Sequence, residues 1–311
     1  MMRRRARPGS SRVACMPTAF LAGAVLLASA ALAGCAGVTG TALPSVASRS
    51  SASTSAGAAA GTPGASQAAQ RNGNVPLSTA APSPTSTPQP LAGQVIALDP
   101  GHNGANWSHP AIINRLVNVI SELKPCDTAG AETDAGYAEH AFTFDVAIRL
   151  ARLLRAEGAT VVLTRHNDHG VGPCVTQRAA IGNRAHADAA ISIHADGGPP
   201  TGTGFEVIAP GRLAGAPDGP VIGRSGRLAV DIRNAYHRMT REPYSDYVGE
   251  RGLDVRTDLG GLNLSTVPKV FIECGNMRNS ADAARLTSPR FRERIAVALA
   301  AGFTAFLNRH P

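Results

Sequence analysis

Three short apolar runs constrain this chain most, because each ends in a side chain suited to holding a metal or moving a proton. Val95 to Leu98 reads as a buried strand, broken by Pro100 and Gly101, that delivers His102. Ala189 to Ile193 runs straight into His194, and Lys269 to Ile272 runs into Glu273. Side chains at the carboxyl ends of such strands stand where open α/β sheets keep their ligands. Between the first two runs, Glu139 sits just before a strongly helical segment. Two imidazoles and two carboxylates thus come from four separated segments.

The remaining periodicity supplies the frame. From His140 to Glu157, Phe142, Val146, Leu150, Leu153 and Leu154 recur at helical spacing, and Gly158 ends the run. Glu139 falls in that helix's first turn, so a rigid element sets its direction. Thr160 to Leu163 predicts a strand, residues 176–186 a short helix carrying Arg178 and Asn183, and Gly204 to Ala209 an alternating strand. Helices are expected over 221–239 and over 290–307, where Ile295, Leu299, Phe303 and Phe306 share a face. Strands alternating with helices predict an α/β class: a single domain with a mostly parallel or mixed central sheet and helices on both faces. Two stretches read as loops: Asn103 to about Gly136, with an apolar patch from Ile112 to Ile120, and the Gly-punctuated Asp254 to Asn263. The first is long enough to be a lid or a binding segment.

The first third of the chain reads as an address rather than a fold. Arginines 3, 4, 5, 7 and 12 precede an apolar, small-residue run over 18–33 that closes on Leu32-Ala33-Gly34-Cys35. That order describes a secretory signal over residues 1–34, too short to span a membrane. Leu-Ala-Gly-Cys resembles the lipobox of bacterial lipoproteins, which implies acylation of Cys35 and a lipid anchor on the outer face of the membrane. The alternative is an ordinary signal in which Cys35 is incidental. Residues 35–93 are Ala, Ser, Thr, Pro and Gly with almost no bulky apolar side chains, so they are expected to be a disordered tether. Residues 94–311 are enough for one domain with a proper core. The formal charge of +8 is mostly targeting. Without the signal arginines, Arg49 and Arg71, 23 basic residues face 22 acidic ones, which is no nucleic-acid footprint. Cys126 and Cys174 each lie beside a proline in loop-like sequence, and an exported chain keeps disulfides, so a Cys126–Cys174 bridge is expected. Cys274 is expected to be a buried thiol acting as a small hydrophobe.

Two His and one Glu make the ligand set of a catalytic zinc, which keeps a fourth position open for water. Such an ion brings bound water to ionise near neutrality and polarises a carbonyl. The reaction also needs a base, and a carboxylate ending an apolar strand suits that because burial raises its pKa; Glu273 fits. The motifs that carry these residues occur in a distinctive order: Asp99-Pro100-Gly101-His102-Asn103-Gly104, Gly136-Tyr137-Ala138-Glu139-His140, Ser192-Ile193-His194-Ala195-Asp196 and Ile272-Glu273-Cys274-Gly275-Asn276-Met277. Leu163 to Asp168 and Arg178 through Asn183 add to them. Together they resemble the zinc-dependent N-acetylmuramoyl-L-alanine amidases, the cell-wall amidase 3 family, over nearly all of residues 95–307. Asn103, the Gly-Pro-Cys of 172–174 and Gly260-Gly261-Leu262-Asn263-Leu264 bring the short mycobacterial-type members nearest. The resemblance implies one zinc ion per chain bound by His102, Glu139 and His194, with Glu273 catalytic. It implies cleavage of the amide between the lactyl group of N-acetylmuramic acid and L-Ala, in peptidoglycan or muropeptides, by a monomeric envelope protein. Cys274 departs from the Leu commoner there, which touches only local packing and oxidation sensitivity.

Blander readings stand beside these. Either histidine alone could be a satisfied core or turn residue, and Glu139 alone a first-turn acid favoured by the helix dipole. His140 is a rival ligand whose side chain is expected to point away from the site of Glu139. Histidines 109, 166, 169, 186, 237 and 310 read as surface residues. Asp99 and Asp196 read as supports for the turn and for His194, Arg178 as a structural ion pair or a substrate contact, and Asn263 as a turn residue or a substrate contact. Another zinc chemistry (a peptidase or sugar deacetylase) or a non-catalytic wall-binding module could use the same fold.

Overall fold

The computed structural model of the chain describes residues 89–217 and 219–309. The expected signal, Cys35, nearly all of the expected tether and His310 lie outside the described residues. The chain runs β1 (Val95–Pro100), α1 (Pro110–Ile113), β2 (Leu116–Asn118), β3 (Leu123–Pro125), α2 (Glu139–Ala156), β4 (Thr160–Leu163), α3 (Val175–Arg184) and β5 (Ala189–Asp196). It continues through β6 (Glu206–Pro210), α4 (Pro220–Thr240), β7 (Leu253–Arg256), α5 (Gly260–Asn263), β8 (Lys269–Asn276), α6 (Ser280–Leu286) and α7 (Pro289–Arg309).

Six strands form one sheet in the order β4-β1-β5-β8-β6-β7. The first four run parallel to one another, β6 is antiparallel to β8, and β7 is parallel to β6, so the sheet is mixed. Period-two alternation along the parallel strands sorts their side chains onto two faces. Ile96, Leu98, Ile191, Ile193, Val270 and Ile272 point into the main core, shared with α2, α4 and α7. Asp99, Ser192, His194, Phe271 and Glu273 point the other way and line a cleft. Register aligns them, with Asp99 opposite Ser192 and His194 opposite Glu273. Helices cover both faces unequally. On the cleft side α3 and α5 sit over only a small patch of Ala97, Ala187, Ala190 and Val267.

The structure departs from expectation at three places. Leu91 is fully buried and its amide donates to the Glu157 carbonyl, so the packed body begins ahead of the expected boundary at 94. The stretch expected as a long loop folds into α1 and the β2–β3 hairpin, and Asp254 to Asn263 holds most of β7 and all of α5. These elements are three or four residues long, too short for either periodicity to show.

Four donors converge on the buried carboxylate of Asp99: Arg178 Nη1 at 3.0 Å, Lys269 Nζ at 2.9 Å, Thr164 Oγ1 at 2.7 Å and Ser192 Oγ at 2.6 Å. Burial works against the charged carboxylate, but Lys269 and Arg178 outweigh it and hold its pKa well below the ordinary range. Removing one partner from such a buried set leaves cations uncompensated. Asp99→Asn is therefore expected to lower unfolding stability by about 3–5 kcal/mol in a urea titration.

Candidate metal centre

His102, Glu139 and His194 meet at the cleft, with one ligand atom from each all within 4.8 Å of one another. The backbone at Gly101–His102 turns sharply, and His102 adopts a left-handed φ of 58°. Its carbonyl accepts from Arg178 Nη2 at 3.0 Å, which fixes the turn. Nδ1 of His102 donates to the Thr128 carbonyl at 3.0 Å. That leaves Nε2 facing the cleft, 3.1 Å from Glu139 Oε2. Glu139, in the first turn of α2, is aimed by two amides: Ala131 N donates to Oε2 at 2.7 Å and Ala195 N to Oε1 at 3.1 Å. His194, arriving on β5, places Nδ1 2.8 Å from Glu139 Oε1.

The electrostatics of the cluster fit a cation. Burial disfavours a charged His102, yet Glu139 and Asp127 beside it together more than offset this and push its pKa up to about 10. Burial likewise opposes ionisation of Glu139, but His102 and His194 hold it well below the ordinary carboxylate range. Burial keeps His194 lowered, hence neutral and able to donate a lone pair. A pocket that draws positive charge onto His102 suits a cation in the proton's place, and imidazole nitrogen with carboxylate oxygen is a donor set zinc accepts. Glu273 faces the same cleft, which has a volume of about 460 Å³. Its Oε2 has no hydrogen-bond partner among the described residues. Burial, reinforced by Glu139, Asp196 and Glu206, raises its pKa well above the ordinary value.

The match to known proteins follows this geometry. Residues 96–305 match the family model described as N-acetylmuramoyl-L-alanine amidase. The chain belongs to that amidase family. Over 228 residues it is 41% identical to the N-acetylmuramoyl-L-alanine amidase Rv3717 of Mycobacterium tuberculosis, covering 72% of this chain and 91% of that one. The crystal structure of the amidase Ami1 from Mycobacterium smegmatis superposes with a TM-score of 0.66 at 41% identity, over 71% of this chain and 99% of its own. The amidase AmiC2 of Nostoc punctiforme gives 0.52 at 25% identity, over 70% and 98%.

Around this cluster the disulfide, His140 and Cys274 stand as expected, while other supports do not. A disulfide joins Cys126 to Cys174, next to Asp127 and Thr128 on one side and α3 on the other. Arg178 bridges the carboxylates of Asp99 and Asp127, and so is built into the scaffold while also bordering the cleft. Asn263 is buried and donates to the carbonyls of Val119 and Thr257, stapling the β2–β3 hairpin to the loop before α5. Asp196 lies beside Tyr247 and the carboxyls of Glu206 and Glu273. His140 turns to Asp168, with Nδ1 2.8 Å from Oδ2. His237 departs from a surface reading: it is half-buried, stacked on Tyr244 and bonded to the Glu242 carbonyl. Cys274 is buried and free. Sequence reasoning missed Asp127, Thr128, Phe271 and Glu206. Phe271 was findable, since it lies two residues before Glu273 and so shares its face. Glu206 reaches the site only through the antiparallel β6–β8 pairing, which no local pattern announces.

Glu206 carries a consequence for stability. It sits opposite Glu273, and burial, with Asp196 adding to it, raises its pKa to about 8. The folded chain therefore holds a proton that the unfolded chain releases. The stabilisation is complete below about 4.5 and is lost as pH rises through about 8. Glu206→Gln is expected to flatten that decline, read as urea midpoints across pH 5 to 8.

Proposed function

We propose that this chain is an exported, zinc-dependent hydrolase that cleaves the bond between N-acetylmuramic acid and the L-Ala of the stem peptide. His102, Glu139 and His194 would hold the zinc. When bound, zinc lowers the pKa of water and polarises a carbonyl. The Thr128 carbonyl and the amides of Ala131 and Ala195 orient its ligands. Glu273 takes a proton from the attacking water and passes it to the departing amide nitrogen of L-Ala, which leaves as a free amine. Its raised proton affinity suits taking the proton from water, and a bound cation nearby would draw that affinity back toward neutrality, where the same group can also give the proton up. The single observation that carries this reading is that a three-donor cluster and an unpartnered carboxyl share one cleft.

We propose further that residues 1–34 export the chain, that Cys35 is its lipid anchor, and that the residues from there up to the packed body, which begins ahead of Leu91, tether the domain. The sequence Leu32-Ala33-Gly34-Cys35 supports this. Among the described residues no helix is long and apolar enough to cross a membrane.

Glu273→Gln is expected to cut turnover by about 10²–10⁴-fold while zinc binding persists. Mass spectrometry of muramyl-peptide digests checks the product. Free peptide beginning at L-Ala, lost with a chelator and restored by zinc, is the expected result. Released acetate or a shortened stem would mean a deacetylase or peptidase instead, and no soluble product from the native chain would mean a binding module. Cys35→Ala is expected to move the protein from the detergent phase to the aqueous phase on partitioning.

A further inference from the structure

We propose that Phe271 is a positioning residue that clamps the His194 ring for metal binding, an inference that rests on the ligand assignment above. The strand order sets β5 between β1 and β8, so the His194 ring has a neighbour strand on each side. From β8, the Phe271 ring stacks on the imidazole with centroids 4.1 Å apart and planes 13° from parallel. From the end of β1 comes Gly101. A Cβ there would lie 2.1, 2.4 and 2.6 Å from Cε1, Nε2 and Nδ1 of His194. Near-equal distances to three ring atoms place that point over the ring's face, since an approach at the edge would leave the nitrogens much farther than Cε1. The imidazole is therefore sandwiched between an aromatic face and a bare glycine Cα. Two edge contacts complete the clamp: Glu139 Oε1 at Nδ1, and the His102 ring in a T-shaped approach with centroids 4.8 Å apart.

The chemistry of the torsion explains why a flat partner matters here. The χ2 angle of histidine is an sp³–sp² torsion with broad wells, so packing alone has to choose the ring's plane. Stacking between planar rings restricts that plane, whereas an aliphatic side chain of similar volume fills the space without selecting it. A ring already oriented loses little freedom when it takes up an ion. Glu139 restrains the same torsion only weakly, because Nδ1 lies close to the Cβ–Cγ axis and moves little as the ring turns.

The test uses the full chain, freed of metal and titrated with zinc in competition with a chromophoric chelator. Phe271→Leu is expected to weaken zinc binding about tenfold, the lower range for groups that orient a metal's ligands. Phe271→Tyr is expected to restore it to within about twofold, a rescue that follows from planarity rather than from volume. Melting of the metal-free proteins separates a loss of fold from a loss of orientation. A second measurement needs no substitution: nitrogen relaxation of the labelled His194 ring is expected to match the order of its own backbone. Unchanged zinc affinity in folded Phe271→Leu, or a ring that reorients freely in the native metal-free chain, overturns the clamp. A native chain that takes up no zinc overturns the metal assignment instead, and the relaxation measurement then judges the clamp by itself.

Discussion

Asp99 accepts hydrogen bonds from residues following or within β4, β5 and β8 and from the helix α3, while itself closing β1. Each of the three strand ends that bring His102, His194 and Glu273 to the cleft is tied to this carboxylate within a few residues. A buried charge is tolerated only when it is compensated, so the two cations and two hydroxyls are conditions for the carboxylate rather than decoration. Arg178 extends the tie by bonding Asp127 and the His102 carbonyl, so one guanidinium spans the scaffold and the ligand segment. Precision at the candidate metal centre thus begins one layer below it.

Above that layer the sheet's alternation does the sorting. An odd-numbered set on β8, Lys269, Phe271 and Glu273, faces the cleft side, while Val270, Ile272 and Cys274 enter the main core. A slip of one residue would turn Glu273 into the main core and Ile272 toward the cleft. The thin layer over the cleft side follows from small side chains at Ala97, Ala187 and Ala190, which let α3 approach the strands closely.

Much of this was legible because the informative residues sit on long, strongly patterned elements. The apolar runs ending in His102, His194 and Glu273, and the helical repeat behind Glu139, required no knowledge of neighbours in space. The unread parts depend on distance in the chain. Thr128 reaches His102 across 26 residues that include only very short elements, and Asn263 reaches Val119 across 144. The β2–β3 hairpin pairs over only three residues, Leu116 to Asn118 with Leu123 to Pro125, below the length at which alternation becomes visible. His237 was misread because its packing against Tyr244 belongs to the tertiary fold and leaves no mark on its own helix.

The left-handed turn at His102 sets function against robustness. A residue with a Cβ in that region of backbone space costs about 1–2 kcal/mol that glycine would not. Glycine at this position would relax the turn and leave Glu139 and His194 without their third partner. Folding alone would favour that exchange, so an imidazole at this strained corner is explained by chemistry rather than by architecture.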